Sequence, residues 1–134
     1  MLPVHAATVR LFLHVLGATV WVGGQLTLAA LVPTVRSLGD GATAKVARQF
    51  ERLAWPAFAL VVATGIWNLV EVDIADATTE YQVTVFVKLF VVAGSGLGAA
   101  AHRASKSTVV LAIGGAAAAG GALVALFLGV LLTT

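Results

Sequence analysis

Residues 109–132 read VVLAIGGAAAAGGALVALFLGVLL, a run without one charged residue or proline. A helix rises about 1.5 Å per residue, so roughly 20 residues cross the ~30 Å hydrocarbon core of a bilayer, and this run is long enough to do so. Three more such stretches precede it, over about 6–32, 53–70 and 83–101. Lipid offers the backbone no hydrogen-bond partner, so spanning segments must be helices or closed barrels. The sequence therefore predicts an all-α polytopic membrane protein: one domain over residues 1–134, built as a four-helix transmembrane bundle.

Composition agrees. The chain is 60% hydrophobic and 10% charged, with a mean hydropathy of +1.00, whereas a soluble domain carries roughly a quarter charged residues. Eight Lys and Arg against six Asp and Glu are too few and too dispersed for a nucleic-acid surface, which leaves the lipid bilayer as the partner. No cysteine is present, so neither disulfides nor thiolate metal sites are available. The first run is too long for a cleavable signal and lacks its basic leader and small-residue cleavage site.

The few charges define a topology. Arg36, Lys45, Arg48 and Arg52 lie between the first two spans, and Arg103 and Lys106 between the last two. Glu71, Asp73, Asp76 and Glu80 lie between the second and third, with no Lys or Arg among them. Short basic loops stay in the cytoplasm, which predicts a multi-pass protein of the plasma membrane with both termini extracytoplasmic. Gly39-Asp40-Gly41 should break the chain, and ATAKVARQFERL (42–53) should form a helical lead-in to the second span. Pro56 falls near the first embedded turn, and Trp55, Trp67 and Tyr81 sit where interfacial aromatic anchors belong.

Ionisable groups inside a bilayer cost roughly 2.5–3.5 kcal/mol each on insertion scales and mark functional sites by default. Here they are Arg10, His14, Lys88 and His102. His14 and Lys88 fall in the outer leaflet at about 12 and 8 Å depth; His102 falls at the other end of its helix, where an interfacial role is the simpler reading. On the first helix Arg10, His14, Gly17, Trp21 and Gly24 recur at helical spacing and form one stripe. A heme would use that order well: imidazole as axial ligand, guanidinium on a propionate, glycine leaving room for the macrocycle. The alternative is that His14 only hydrogen-bonds to a neighbouring helix while Arg10 and Lys88 snorkel outward. Copper(I) prefers thiolate and thioether ligands, and the chain offers only Met1 and the histidines, so Met1, His5 and His14 could make at most one outward-facing copper site. Gly94 and Gly98, and GGAAAAGGA over 114–122, suit close helix packing, either within one chain or across a homodimer.

LHVLGATVWVGG (13–24), WPAFALVVATGIWNL (55–69) and TEYQVTVFVKLFVVAGSGLGAAAHR (79–103) together resemble the copper-resistance D (CopD) domain. The His-to-Trp spacing, the Pro and Thr-Gly-x-Trp of the second span and the intramembrane Lys are also similar to the HemJ-type protoporphyrinogen oxidases, small four-helix membrane proteins that bind heme b. The resemblance covers about residues 10–103, with the fourth helix adding little. It implies heme ligation by His14, the family tryptophan at Trp21 and a catalytic or substrate-contacting role for Lys88.

The expectation is a heme-b protein passing electrons to or from a quinone or porphyrinogen, with His14, Arg10, Gly17 and Trp21 around the cofactor. The alternatives are CopD-like copper binding and uptake through His5 and His14, and a non-catalytic accessory subunit docked through its Gly/Ala-rich helices. The topology is testable directly. A single cysteine in Asp76→Cys should be labelled by an impermeant maleimide in intact cells and one in Lys45→Cys should not; the reverse pattern would invert the orientation.

Overall fold

The computed structural model describes residues 3–134, so Met1 lies outside the described residues. The structure is all-helical, and four helical rods are long and apolar enough to cross a membrane: Ala6–Ser37, Ala42–Glu71, Thr79–Ala104 and Thr108–Leu131. The first rod is α1 (Ala6–Ala18), a five-residue π-helical turn (Thr19–Gly23) and α2 (Gly24–Ser37); the others are α3 (Ala42–Glu71), α4 (Thr79–Ala104) and α5 (Thr108–Leu131). The chain divides into two compact units, Met1–Val72 and Asp73–Thr134.

In the first unit the turn between α2 and α3 is made by glycine. Gly39 and Gly41 adopt φ of +111° and +81°, a region in which a Cβ meets its own carbonyl and only glycine rests without strain. The lead-in at 42–53 and the second span form one continuous α3 that runs through Pro56. The π-helical turn is the irregular element: its widened backbone leaves carbonyls without their usual partners, and Gln25 Nε2 donates to the Trp21 carbonyl at 3.0 Å.

The second unit is a helical hairpin. Thr78 caps α4, its hydroxyl accepting from the Tyr81 amide at 3.3 Å, and Glu80 in the first turn and His102 and Arg103 in the last complement the helix dipole. Gln82 Nε2 donates to the carbonyls of Ile74 at 2.8 Å and Ala77 at 3.2 Å, which fastens the acidic segment onto α4. Between α4 and α5 the backbones touch. A Cβ placed on Gly98 would lie 2.9 Å from Ala117 Cβ and 2.9 Å from the Gly114 carbonyl, and one on Gly114 would lie 2.7 Å from the Gly98 carbonyl. Ser95, 1% exposed, donates across this contact to the Ala118 carbonyl at 2.7 Å. Gly98, Gly114 and the Ala118 turn thus serve packing within the chain.

The two glycines of the GxxxG pair differ in consequence. Gly98→Val forces a branched side chain into backbone and should destabilise the α4–α5 pair by about 1–3 kcal/mol. Gly94→Val adds a side chain where no described heavy atom lies within 4 Å and should leave the unfolding midpoint in detergent unchanged. Equal losses in thermal unfolding would refute this assignment of the contact.

Candidate functional site

The stripe on the first rod is the seam along which it meets α3, in antiparallel order. Arg10 faces Asn68, donating from Nε to Oδ1 at 2.7 Å. One turn on, His14 Nδ1 lies 2.9 Å from Thr64 Oγ1. Another turn on, a Cβ at Gly17 would lie 2.8 Å from Val61 Cγ2 and 2.9 Å from the Ala57 carbonyl. Trp21, 5% exposed, packs on Phe58 and Trp55 with ring centroids 4.4 and 5.8 Å away. At Gly24 an added Cβ would overlap the Phe50 ring.

Polar chemistry collects at the end of this seam nearest the start of α1. Arg10, 15% exposed, also pairs with Glu71 at 3.5 Å and stands 5.8 Å from the centroid of Trp67, within cation–π range. Trp67 Nε1 donates to the same Glu71 oxygen at 3.1 Å. Arg10 is therefore held by three groups of α3 rather than snorkelling alone. Thr64, Asn68 and Glu71 recur at i, i+4 and i+7 and supply the α3 half of the cluster. Sequence reading singled out none of them, although the spacing rule that reveals the α1 stripe applies equally to α3.

The His14–Thr64 contact has a definite proton arrangement. Thr64 is 4% exposed, and its hydroxyl lies 2.6 Å from the Leu60 carbonyl and 3.3 Å from that of Val61. A carbonyl only accepts, so the single hydroxyl proton goes there, and Thr64 Oγ1 offers a lone pair to His14. Nδ1 then carries the ring proton and Nε2 the lone pair, the nitrogen through which a neutral imidazole ligates metals.

The other sequence-derived candidates fall elsewhere. His5 is the exposed N-cap residue of α1, nine residues or about 13.5 Å along the axis from His14, too far for both to hold one ion. Among the described residues no group of three or more His, Cys, Asp or Glu is placed to hold a metal. Gly17 does not leave space for a macrocycle, because Val61 and the α3 backbone fill that side, and Trp21 is buried in an aromatic cluster. The seam as built does not fit the heme arrangement expected from the stripe. In the second unit, Lys88 Nζ would lie 3.0 Å from a Cβ on Gly129, in the last turn of α5, where the helix dipole is negative and favours a cation. His102 is exposed, and its Nδ1 donates to the Leu111 carbonyl at 2.6 Å, tying the end of α4 to α5.

No curated protein and no solved structure matches the chain. Residues 44–133 match the family model described as copper resistance protein D, CopD. The match reaches from the first turns of α3 to the end of α5, so it includes Thr64, Asn68, Glu71, Lys88 and the whole fourth span. It differs in extent from the resemblance read over residues 10–103, since it does not reach Arg10 and His14. Four helices fit to cross a bilayer and a match over more than half of the sequence lead to one conclusion: this membrane protein belongs to the CopD family.

Proposed function

We propose that this protein binds copper within the membrane and moves it along the first rod, with the His14 imidazole as the embedded ligand and His5 as a separate station about 13.5 Å nearer the N-terminus. The observation that carries this reading is the pinned imidazole. A ring whose Nδ1–H is held by a buried hydroxyl presents Nε2 in the ligating form, and such outer-shell hydrogen bonds are the usual partners of metal-binding histidine. Membership in a copper-resistance family supports copper over other metals that imidazole suits.

The surrounding charges are consistent with a cationic cargo. Arg10, one turn from His14, would repel a copper ion if it stood alone, and its pairing with Glu71 at 3.5 Å cancels most of that field. A single imidazole without thiolate or thioether support holds copper weakly. Weak, successive ligation suits passage, whereas storage calls for several ligands at one point. The reading needs no enzymatic step and assigns none to Lys88.

One sample of detergent-purified protein tests it, through copper(II) titration, metal analysis, and oxidised and dithionite-reduced visible spectra. The expected outcome is saturable copper binding that His14→Ala weakens by at least about 10-fold, the lower end of what even an outer-shell change costs a metal site. His5→Ala should slow copper accumulation by cells while leaving the His14 affinity intact. A Soret band with stoichiometric iron, lost in His14→Ala, would overturn the proposal in favour of a heme-b protein with a quinone or porphyrinogen partner. Binding of neither metal, with a stable protein partner on purification, would overturn it in favour of an accessory subunit.

A further inference from the structure

We infer that Thr64 is the positioning residue that fixes the tautomer of His14, and that Gly17 is what allows it to do so. The inference deepens the copper reading and rests on it only for the use of the presented nitrogen; the tautomer itself is a property of the metal-free protein.

Three observations join. Thr64 is buried, so water does not compete for its hydroxyl. Its proton is committed to its own helix, to Leu60 at 2.6 Å with a longer contact to Val61 at 3.3 Å, which leaves only oxygen lone pairs facing His14 Nδ1 at 2.9 Å. A threonine hydroxyl on α3 is short, and it spans the gap to α1 because the backbones are brought together one turn away at Gly17, where a Cβ would stand 2.9 Å from the Ala57 carbonyl. The contact has no slack: adding that Cβ moves α3 away and Thr64 with it. Gly65 is the tolerant neighbour, since a Cβ there would meet His14 Cε1 at an ordinary 3.5 Å.

The consequence is chemical. An unrestrained neutral imidazole exchanges its proton between the two nitrogens, and whichever is protonated cannot ligate. Holding Nδ1–H on Thr64 keeps Nε2 as the basic nitrogen and fixes the direction in which it points. The second imidazole with a defined proton supplies an internal standard: His102 Nδ1 donates to a backbone carbonyl, which only accepts, so that ring has the same tautomer for an independent reason.

The test is nitrogen NMR of metal-free protein labelled with 15N-histidine in detergent micelles; the chain has three histidines, and a His→Gln variant at each assigns them. His14 should show a protonated Nδ1 and an unprotonated Nε2, matching His102. Thr64→Val keeps the shape and removes the acceptor, and it should shift His14 toward the Nε2–H form while His102 stays put; Thr64→Ser should restore the original pattern. Gly17→Ala should produce the same shift with the hydroxyl still present. Copper(II) affinity of Thr64→Val should fall about 10–100-fold, as for other outer-shell partners, with helical content by circular dichroism unchanged. A wild-type His14 protonated at Nε2, or a spectrum indifferent to Thr64→Val, would overturn the inference. If the tautomer responds as expected but copper does not bind, the inference stands and the copper reading falls.

Discussion

The close approach of the first rod to α3 at Gly17 is the constraint from which the rest of the first unit follows. A bilayer removes the hydrophobic drive for helices to associate, since lipid tails are as apolar as leucine, and leaves shape and polar contact as the forces that pair them. Gly17 supplies the shape. With no side chain there, Val61 and the Ala57 carbonyl come up against the α1 backbone, and the groups one and two turns away come into register: Thr64 with His14, Asn68 and Glu71 with Arg10, and on the other side Phe58 and Trp55 with Trp21. Moving the two helices apart by one methyl would lengthen all of these together.

Magnitudes separate what holds the seam from what it positions. Hydrogen bonds between transmembrane helices average about 0.6 kcal/mol, roughly a threefold effect on an equilibrium, because the separated helices find other partners. The His14–Thr64 bond therefore contributes little to keeping the helices together. Aromatic pairs contribute about 0.5–1.5 kcal/mol each beyond area burial, and the Trp21 cluster has three such contacts. Packing at Gly17 and around Trp21 carries the association. The polar ladder exploits the geometry that results, and it carries chemistry and direction.

The four spans, the break at Gly39-Asp40-Gly41 and the stripe Arg10, His14, Gly17, Trp21, Gly24 were legible in the sequence because each depends on local composition or on the helical period. What the stripe faces was not legible. Period fixes which residues share a face, but a glycine that admits a macrocycle and a glycine that admits a neighbouring helix look alike, and here it is the helix. The partners on α3 hid for a related reason: Glu71 counted as one acid of a loop, Trp67 as an interfacial anchor and Thr64 as part of a family motif, and only α1 was searched for a polar stripe. The π-helical turn at Thr19–Gly23 contains no proline or other local breaker, and nothing in TVWVG distinguishes it from ordinary helix.

The same ambiguity governs the choice of cargo. A heme needs a slot about as wide as a flat ring, open on one side of its ligand and lined by small residues, and that demand competes directly with a seam in which those small residues already touch backbone. An ion makes no such demand. It needs a lone pair of fixed direction, a local field that does not repel it, and ligation weak enough to be left behind. His14 held by Thr64 meets the first condition, and Arg10 neutralised by Glu71 meets the second. The lack of cysteine and the wide spacing of His5 from His14 meet the third, because no second donor shares the ion. On physical grounds the helix seam that closes the stripe to a macrocycle is also what prepares one of its imidazoles for a small cation.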